Sequence, residues 1–300
     1  MKTTTKAHLA VLSTNLFFSA NYNFVKYISP AFVKPFALNL LRVGLTVVLF
    51  WTMWLFGKTS AGIKRKDLRK FLLCSLAGIA INQTLFIKGL TFTSTIHASL
   101  LILTTPLLIS IFAIWVLKEN ITVFKIVGLA LGITGSVILI LNRENSAHAQ
   151  NYLLGDILIL INAVSYTFYF LMVKPLMEEY SPLHVIRWVF TFGFFMILPI
   201  GWNELYDINW SLFHWQQFLA LALIVITGTF LAYYFNAYGL QHLSAGTAGA
   251  YIYTQPIFAV IIATIFFSET LSSQKILAGC LIFSGVYLVS YRSKEVAAAT

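Results

Sequence analysis

Charged side chains are scarce in this chain of 300 residues. Asp, Glu, Lys and Arg make up 10% of it, where a soluble domain carries about a quarter. A chain folded in water must clothe its surface in polar groups, and 59% hydrophobic residues with mean hydropathy +0.82 leave too few to do so. Lipid is therefore the solvent for most of the length. Acidic residues are scarcer still, ten against twenty Lys and Arg, for a net charge of +10. In a soluble protein that excess would raise nucleic acid as a partner. Here the basic residues sit mainly in loops, so no nucleic acid is expected and the bilayer is the partner. The only two cysteines, Cys74 and Cys280, lie in apolar segments, which excludes a disulfide framework and a Cys-rich metal site. His97, His148, His184, His214 and His242 show no metal-ligand spacing, so neither metal nor cofactor is expected. There is no GxxxxGK[ST] motif, hence no ATP engine in the chain itself.

What is present is apolar sequence in lengths that suit a bilayer. A span needs about 20 mainly apolar residues, and that ruler finds ten candidates: 8–28, 34–56, 71–90, 95–117, 122–142, 153–173, 183–201, 215–238, 245–268 and 273–291. The basic start followed by an apolar run resembles a signal peptide, but Asn15 and Ser19 interrupt the run. It reads as an uncleaved first helix. The only break with linker character is RENSAHAQN, 143–151, at the middle of the chain. It divides a first half, 1–142, from a second, 152–300. The loop with Lys58, Lys64, Arg65, Lys66, Arg69 and Lys70 places itself and both termini in the cytoplasm by the positive-inside rule.

The two halves repeat. LTTPLLISIFAIWVLKE (103–119) returns as YTQPIFAVIIATIFFSE (253–269), an offset of 150. In the same register Gly89-Leu90 faces Gly239-Leu240, Ser94 faces Ser244, Ala98 faces Ala248, Thr104 faces Thr254 and Pro106 faces Pro256. Further on, Glu119, Lys125-Ile126 and Gly135 face Glu269, Lys275-Ile276 and Gly285. Five spans per half is an odd number, so equivalent helices must cross in opposite directions. The expected fold is an all-α polytopic membrane protein of ten transmembrane helices, arranged as two inverted five-helix repeats. Pro106 and Pro256 are expected as helix-kink residues, each removing an amide donor near the middle of its helix.

This layout resembles the EamA-type transporters of the drug/metabolite transporter superfamily. Its carriers are KGLTFTSTIHASLLILTTPLLISIFAIWVLKE (88–119), YGLQHLSAGTAGAYIYTQPIFAVIIATIFFSE (238–269), FFSANYNFVKYISP (17–30) and LLRVG (40–44). The Trp-Gly pair common in that family's first helix is replaced here by Phe18-Ser19 or Ser19-Ala20. The resemblance implies ten helices and the movement of a small organic solute. It says little about which solute.

Polar residues within spans are costly unless they face a cavity or another helix. Asn15, Ser19 and Tyr22 share one face of the first helix, as do Asn162, Tyr166 and Tyr169, with Ser165, on the sixth. Thr229, Tyr233 and Asn236 repeat the spacing on the eighth. Asn82 and Gln83, Thr104 and Thr105, and Tyr251, Tyr253, Thr254 and Gln255 complete the set on the third, fourth and ninth. For any one residue, interhelical hydrogen bonding explains the placement; for the set, a lined substrate pathway does so better. Arg42, about two turns into the second helix, either pairs with Asp156 or meets a substrate carboxylate. Asp156 is the candidate coupling residue. Glu119 and Glu269 read as turn and packing residues, and Gly128, Gly132 and Gly135 as sites of close helix contact. Trp202, Trp210 and Trp215 read as interfacial anchors.

The expectation is a secondary transporter of a small metabolite, an amino acid or similar solute, exporting across a bacterial cytoplasmic (inner) membrane as a monomer or homodimer. An intramembrane enzyme would need a nucleophile with its base, and none is found. A sensor or scaffold would leave the inverted repeat unexplained.

Overall fold

The computed structural model of the chain describes residues 3–56, 62–117, 123–141, 151–243, 245–267 and 271–291, and no strand occurs among them. Their helical segments form rods separated by turns: α1 (Thr3–Ile28), α2 (Pro35–Leu55), α3 (Arg65–Leu90), α4 (Thr95–Ile102 and Thr104–Leu117), α5 (Val123–Leu141), α6 (Tyr152–Glu179), α7 (Pro182–Tyr206), α8 (Trp215–His242), α9 (Ala245–Ala250, Tyr251–Tyr253 and Thr254–Phe267) and α10 (Ser273–Tyr291). By length and composition, α2, α3, α6, α7, α8 and the stretch Thr247–Phe266 of α9 are each able to cross a membrane. The chain is a multi-pass, all-α membrane protein. Exposed Leu, Ile, Val and Phe cover its outside, as a lipid-facing surface requires.

Local chemistry starts several rods. Ser94 accepts from the His97 amide at 3.1 Å, Asn151 from Leu154 at 3.2 Å and Ser181 from His184 at 3.4 Å, each satisfying an N-terminal donor. Pro35 and Pro182 open α2 and α7, where a missing amide costs nothing. Several rods run past the lengths expected from hydropathy: α6 continues through Pro175 to Glu179, and α7 to Tyr206. The hydropathy ruler stops where polar residues begin, whereas a helix held by packing need not.

The rods that carry Pro106 and Pro256 are each interrupted about one turn before the proline, where its missing donor and its ring disturb the preceding turn. α4 breaks at Leu103 and restarts at Thr104; α9 tightens into a 3-10 turn over Tyr251–Tyr253 and restarts at Thr254. Each proline is thus the third residue of a new helical segment, where its missing donor is one of the orphans of a helix start. The Thr104 hydroxyl donates to the Leu101 carbonyl and Thr254 to that of Tyr251, both at 2.7 Å.

The repeat appears in three dimensions. α3 carries a π-turn over Leu76–Ile81 and α8 one over Ile226–Leu231, 150 positions on. Packing pairs repeat too: α1 lies against α8 and α9 as α6 lies against α3 and α4, while α2 pairs with α7 and α5 with α10. Small residues make these approaches possible. A Cβ on Gly78 would overlap the Tyr169 ring, and one on Gly228 the Asn21 side chain. In the α5–α10 seam, a Cβ on Gly285 would meet the backbone of Gly128 and Gly132, and one on Gly135 would lie 2.8 Å from the Ala278 carbonyl oxygen.

Polar latches hold the rod ends. Glu204 of α7 accepts from the Phe36 and Ala37 amides at 2.8 and 3.2 Å, capping α2 from across the interface. Lys34 pairs with Asp207 at 2.6 Å, and Lys64 and Lys66 reach Glu179 at 3.4 and 3.3 Å. These ion pairs are exposed, so water and salt screen them and they add little to stability.

Backbone, unlike a side chain, cannot swing aside, so Gly285→Ala should destabilise by about 1–3 kcal/mol through overpacking of the α5–α10 seam. Gly249→Ala is the control, since nothing lies within 4 Å of its added Cβ. Thermal unfolding in detergent, followed by tryptophan fluorescence, should lower the midpoint for the first variant and leave it in place for the second.

Candidate functional site

The polar face of α1 converges on one residue of α9. Gln255 Nε2 donates to Asn15 Oδ1 at 2.7 Å, the Tyr22 hydroxyl donates to Gln255 Oε1 at 3.3 Å, and the Ser19 hydroxyl donates to the Gln255 carbonyl at 2.9 Å. That last bond sits beside Pro256, where the helix has just restarted.

The polar face of α6 makes the counterpart in the other half. Asn162 Nδ2 donates to the Asn82 carbonyl at 2.7 Å, and Asn82 Nδ2 returns a bond to the Asn162 carbonyl at 3.2 Å. Ser165 donates to the Ala77 carbonyl inside the α3 π-turn at 2.7 Å. The Tyr166 hydroxyl accepts from Asn236 of α8 at 3.2 Å. Tyr169 seats its ring on Gly78.

Between these two networks lies a cavity. It is lined by Phe18, Asn21, Tyr22, Arg42, Asn82, Gln83, Phe86, Ile102, Asn162, Tyr166, Gly228, Tyr233, Ile252 and Gln255. Seven rods contribute: α1, α2, α3 and α4 from the first half, and α6, α8 and α9 from the second. Among the described residues, Arg42 is the one charged residue that lines the cavity. Its side chain is buried, with Nε and Nη2 donating to Gln83 Oε1 at 3.1 and 2.7 Å. The Tyr233 hydroxyl neighbours the Gln83 amide without closing a hydrogen bond to its nitrogen.

Of the residues expected to bind substrate, Tyr22, Arg42, Asn82, Gln83, Asn162, Tyr166, Tyr233 and Gln255 line this cavity. Asn15 and Ser19 stand behind it, positioning Gln255. Tyr169 is spent on helix packing. Thr104 donates to the Leu101 carbonyl across the break in α4, and Thr105 is buried beside it. Tyr251 bonds His8 Nδ1 at 2.9 Å, and Tyr253 stacks near Phe283 with ring centroids 6.2 Å apart. Glu119 and Glu269 lie outside the described residues, as does all of the 143–151 linker except Asn151.

Arg42 does not pair with Asp156. Asp156 is wholly buried at the start of α6, where Oδ1 accepts from the Thr93 hydroxyl at 2.6 Å and Oδ2 lies 3.3 Å from His97 Nδ1. The turn between α3 and α4 folds over Gly155, bringing both partners onto the carboxylate. The acid is therefore committed to that turn and contributes nothing to the cavity lining. The expected pairing failed because nothing in the chain's order shows which turn covers the first residues of α6.

Six lining residues escaped the sequence reading: Phe18, Asn21, Phe86, Ile102, Gly228 and Ile252. Phe18 and Phe86 carried a usable signal, since they share a helix face with Tyr22 and with Asn82 or Gln83. Asn21 did not. It enters because Gly228, in the π-turn of α8, leaves room for its side chain.

The sequence profile of the EamA-like transporter family matches residues 5–141 and again residues 153–291. Among curated proteins, an uncharacterized transporter of Bacillus subtilis, YetK, is 25% identical over 257 residues, covering 83% of this chain and 76% of that protein. An uncharacterized transporter of Archaeoglobus fulgidus is 24% identical, covering 95% of this chain and 98% of its own. A probable terminal-alkyne amino-acid exporter of Streptantibioticus cattleyicolor is 26% identical over 77% of each. One solved crystal structure superposes with a TM-score of 0.66 at 17% identity, covering 97% of this chain and 99% of that one. That likeness is one of fold.

Asp156→Ala should orphan both His97 and Thr93 inside the protein, at about 1–3 kcal/mol for each buried group left unpaired. Asp156→Asn keeps an acceptor for Thr93 and should lose less. The order of thermal midpoints, wild type above Asn above Ala, checks this; equal midpoints would show the cluster is not a structural tie.

Proposed function

The chain belongs to the EamA-like transporter family, and on that premise we propose that it is a secondary transporter moving a small organic metabolite, an amino acid or similar solute, by alternating access. The observation that carries this reading is the cavity shared by helices of both halves, walled by amides, phenols and aromatic rings. A site at the junction of two inverted repeats can be exposed to either side as the halves exchange shapes. In this reading the halves are 1–142 and 152–300, joined by 143–151.

Export is the proposed direction, supported by the naming of one relative as an exporter. The basic 58–70 loop supports an orientation with both termini in the cytoplasm, in a bacterial cytoplasmic membrane. An intramembrane enzyme finds less support, because the lining residues include no Ser, Cys, His, Asp or Glu to act as nucleophile or base.

Proteoliposomes loaded with a cell metabolite extract, their effluent identified by mass spectrometry, test the reading. A solute should cross only where the protein is present. Tyr166→Ala and Gln255→Ala each remove a wall of the cavity and should slow that efflux by at least about tenfold, equivalent to ~1.4 kcal/mol. No solute crossing through folded protein, with and without an imposed proton gradient, would overturn transport.

A further inference from the structure

We propose that Arg42 and Gln83 form an anchor for the carboxylate of the transported solute; this rests on the reading of the cavity as a transport site. The two side chains are locked together, since Arg42 spends Nε and Nη2 on Gln83 Oε1. That leaves Arg42 Nη1 and Gln83 Nε2 as buried donors without a partner. Both belong to residues that line the cavity and are at most 3% exposed. Two adjacent donors, one of them cationic, match the two oxygens of a carboxylate.

The charge balance points the same way. A buried cation is costly unless it is paired, and other buried ionisable groups in this protein have found answers. Arg187 lies against the rings of both Trp51 and Trp54, with its guanidinium carbon 4.8 and 4.9 Å from their ring centres. Asp156 has Thr93 and His97. Arg42 has only a neutral amide, in a cavity lined by no acid. Arg42 also stands seven residues into α2, roughly 10 Å along the axis at 1.5 Å per residue, too deep to reach water at the rod's end. The missing negative charge is that of the solute.

A third unpartnered atom describes the rest of the molecule. Asn162 turns its Nδ2 to the Asn82 carbonyl, so the atom it leaves unpaired is the acceptor Oδ1. Phe18 and Phe86 add apolar wall. The site therefore takes a small carboxylate that carries an apolar body and a hydrogen-bond donor. It rejects cations that lack an acid, because they would bring a second positive charge beside Arg42.

The test loads proteoliposomes with the metabolite extract supplemented with L-phenylalanine, L-leucine and their primary amides. Every solute that wild-type protein moves should carry a carboxylate, and the amides should stay inside. Arg42→Gln should cut carboxylate efflux at least about tenfold, with Arg42→Lys intermediate. Because Arg42→Gln removes an unneutralised charge, its Tm should be no lower than that of wild type. Gln83→Glu supplies the carboxylate from the protein itself, so it should raise Tm while stopping efflux. The anchor is overturned if solutes without a carboxylate cross, if Arg42→Gln transports normally, or if both Arg42 variants lose activity together with Tm. If wild-type protein moves nothing from the unsupplemented extract either, the transport reading falls first and takes the anchor with it.

Discussion

Lipid offers no hydrogen bonds, and every arrangement described above follows from that. A polar group within the apolar layer has to find its partner inside the protein or stand in a water-accessible space. Asn15, Ser19 and Tyr22 therefore turn to Gln255, and Asn162 and Ser165 to the carbonyls of Asn82 and Ala77. The π-turns and the breaks in α4 and α9 are tolerable under the same rule only because they face neighbouring helices. The Ala77 carbonyl, within the α3 π-turn, takes a hydrogen bond from Ser165, and Ser19 bonds the Gln255 carbonyl where α9 has just resumed. Irregular backbone is thus concentrated around the cavity, where polar side chains from α1 and α6 are at hand.

Two kinds of contact divide the labour. In the α5–α10 seam glycines bring backbone against backbone, with Gly285 on Gly128 and Gly132. Such a seam gains dispersion from close approach and has no polar groups to re-pair. Around the cavity the contacts are side-chain hydrogen bonds of modest individual strength, about 0.6–2 kcal/mol each in membranes. Under the proposed alternating access, joints of the second kind would open and close while the first kind served as frame.

Much of this was legible in the chain because lipid makes composition informative. Apolar runs give the rods, and the Thr-x-Pro repeat gives the register between the halves. The stripes on α1 and α6 pointed to the cavity since a helical face is a local property. What could not be read depends on distant partners or on geometry that composition does not encode. LAGIAI and ITGTFL look like ordinary helix, and only packing of Tyr169 and Asn21 onto Gly78 and Gly228 shows why the backbone widens there. Pro106 announced a disturbance of its helix, but not that the rod is interrupted about one turn earlier, at Leu103. His97 showed no ligand spacing, and its partner Asp156 lies 59 positions away.

The contrast between the two buried arginines shows how placement decides role. Arg187 lies against two indoles, and such cation–π contact is worth about 2 kcal/mol or more when desolvated. Arg42 is held by a single amide oxygen, which orients the guanidinium but cannot neutralise it. An oriented, unneutralised charge is a poor device for stability and a good one for discrimination, because its favourable energy is realised only with an occupant of the right sign. The aromatic walls contribute in the opposite manner, holding apolar bodies of many shapes with little preference among them. A cavity built from both would be strict about the acid and permissive about the rest of the molecule.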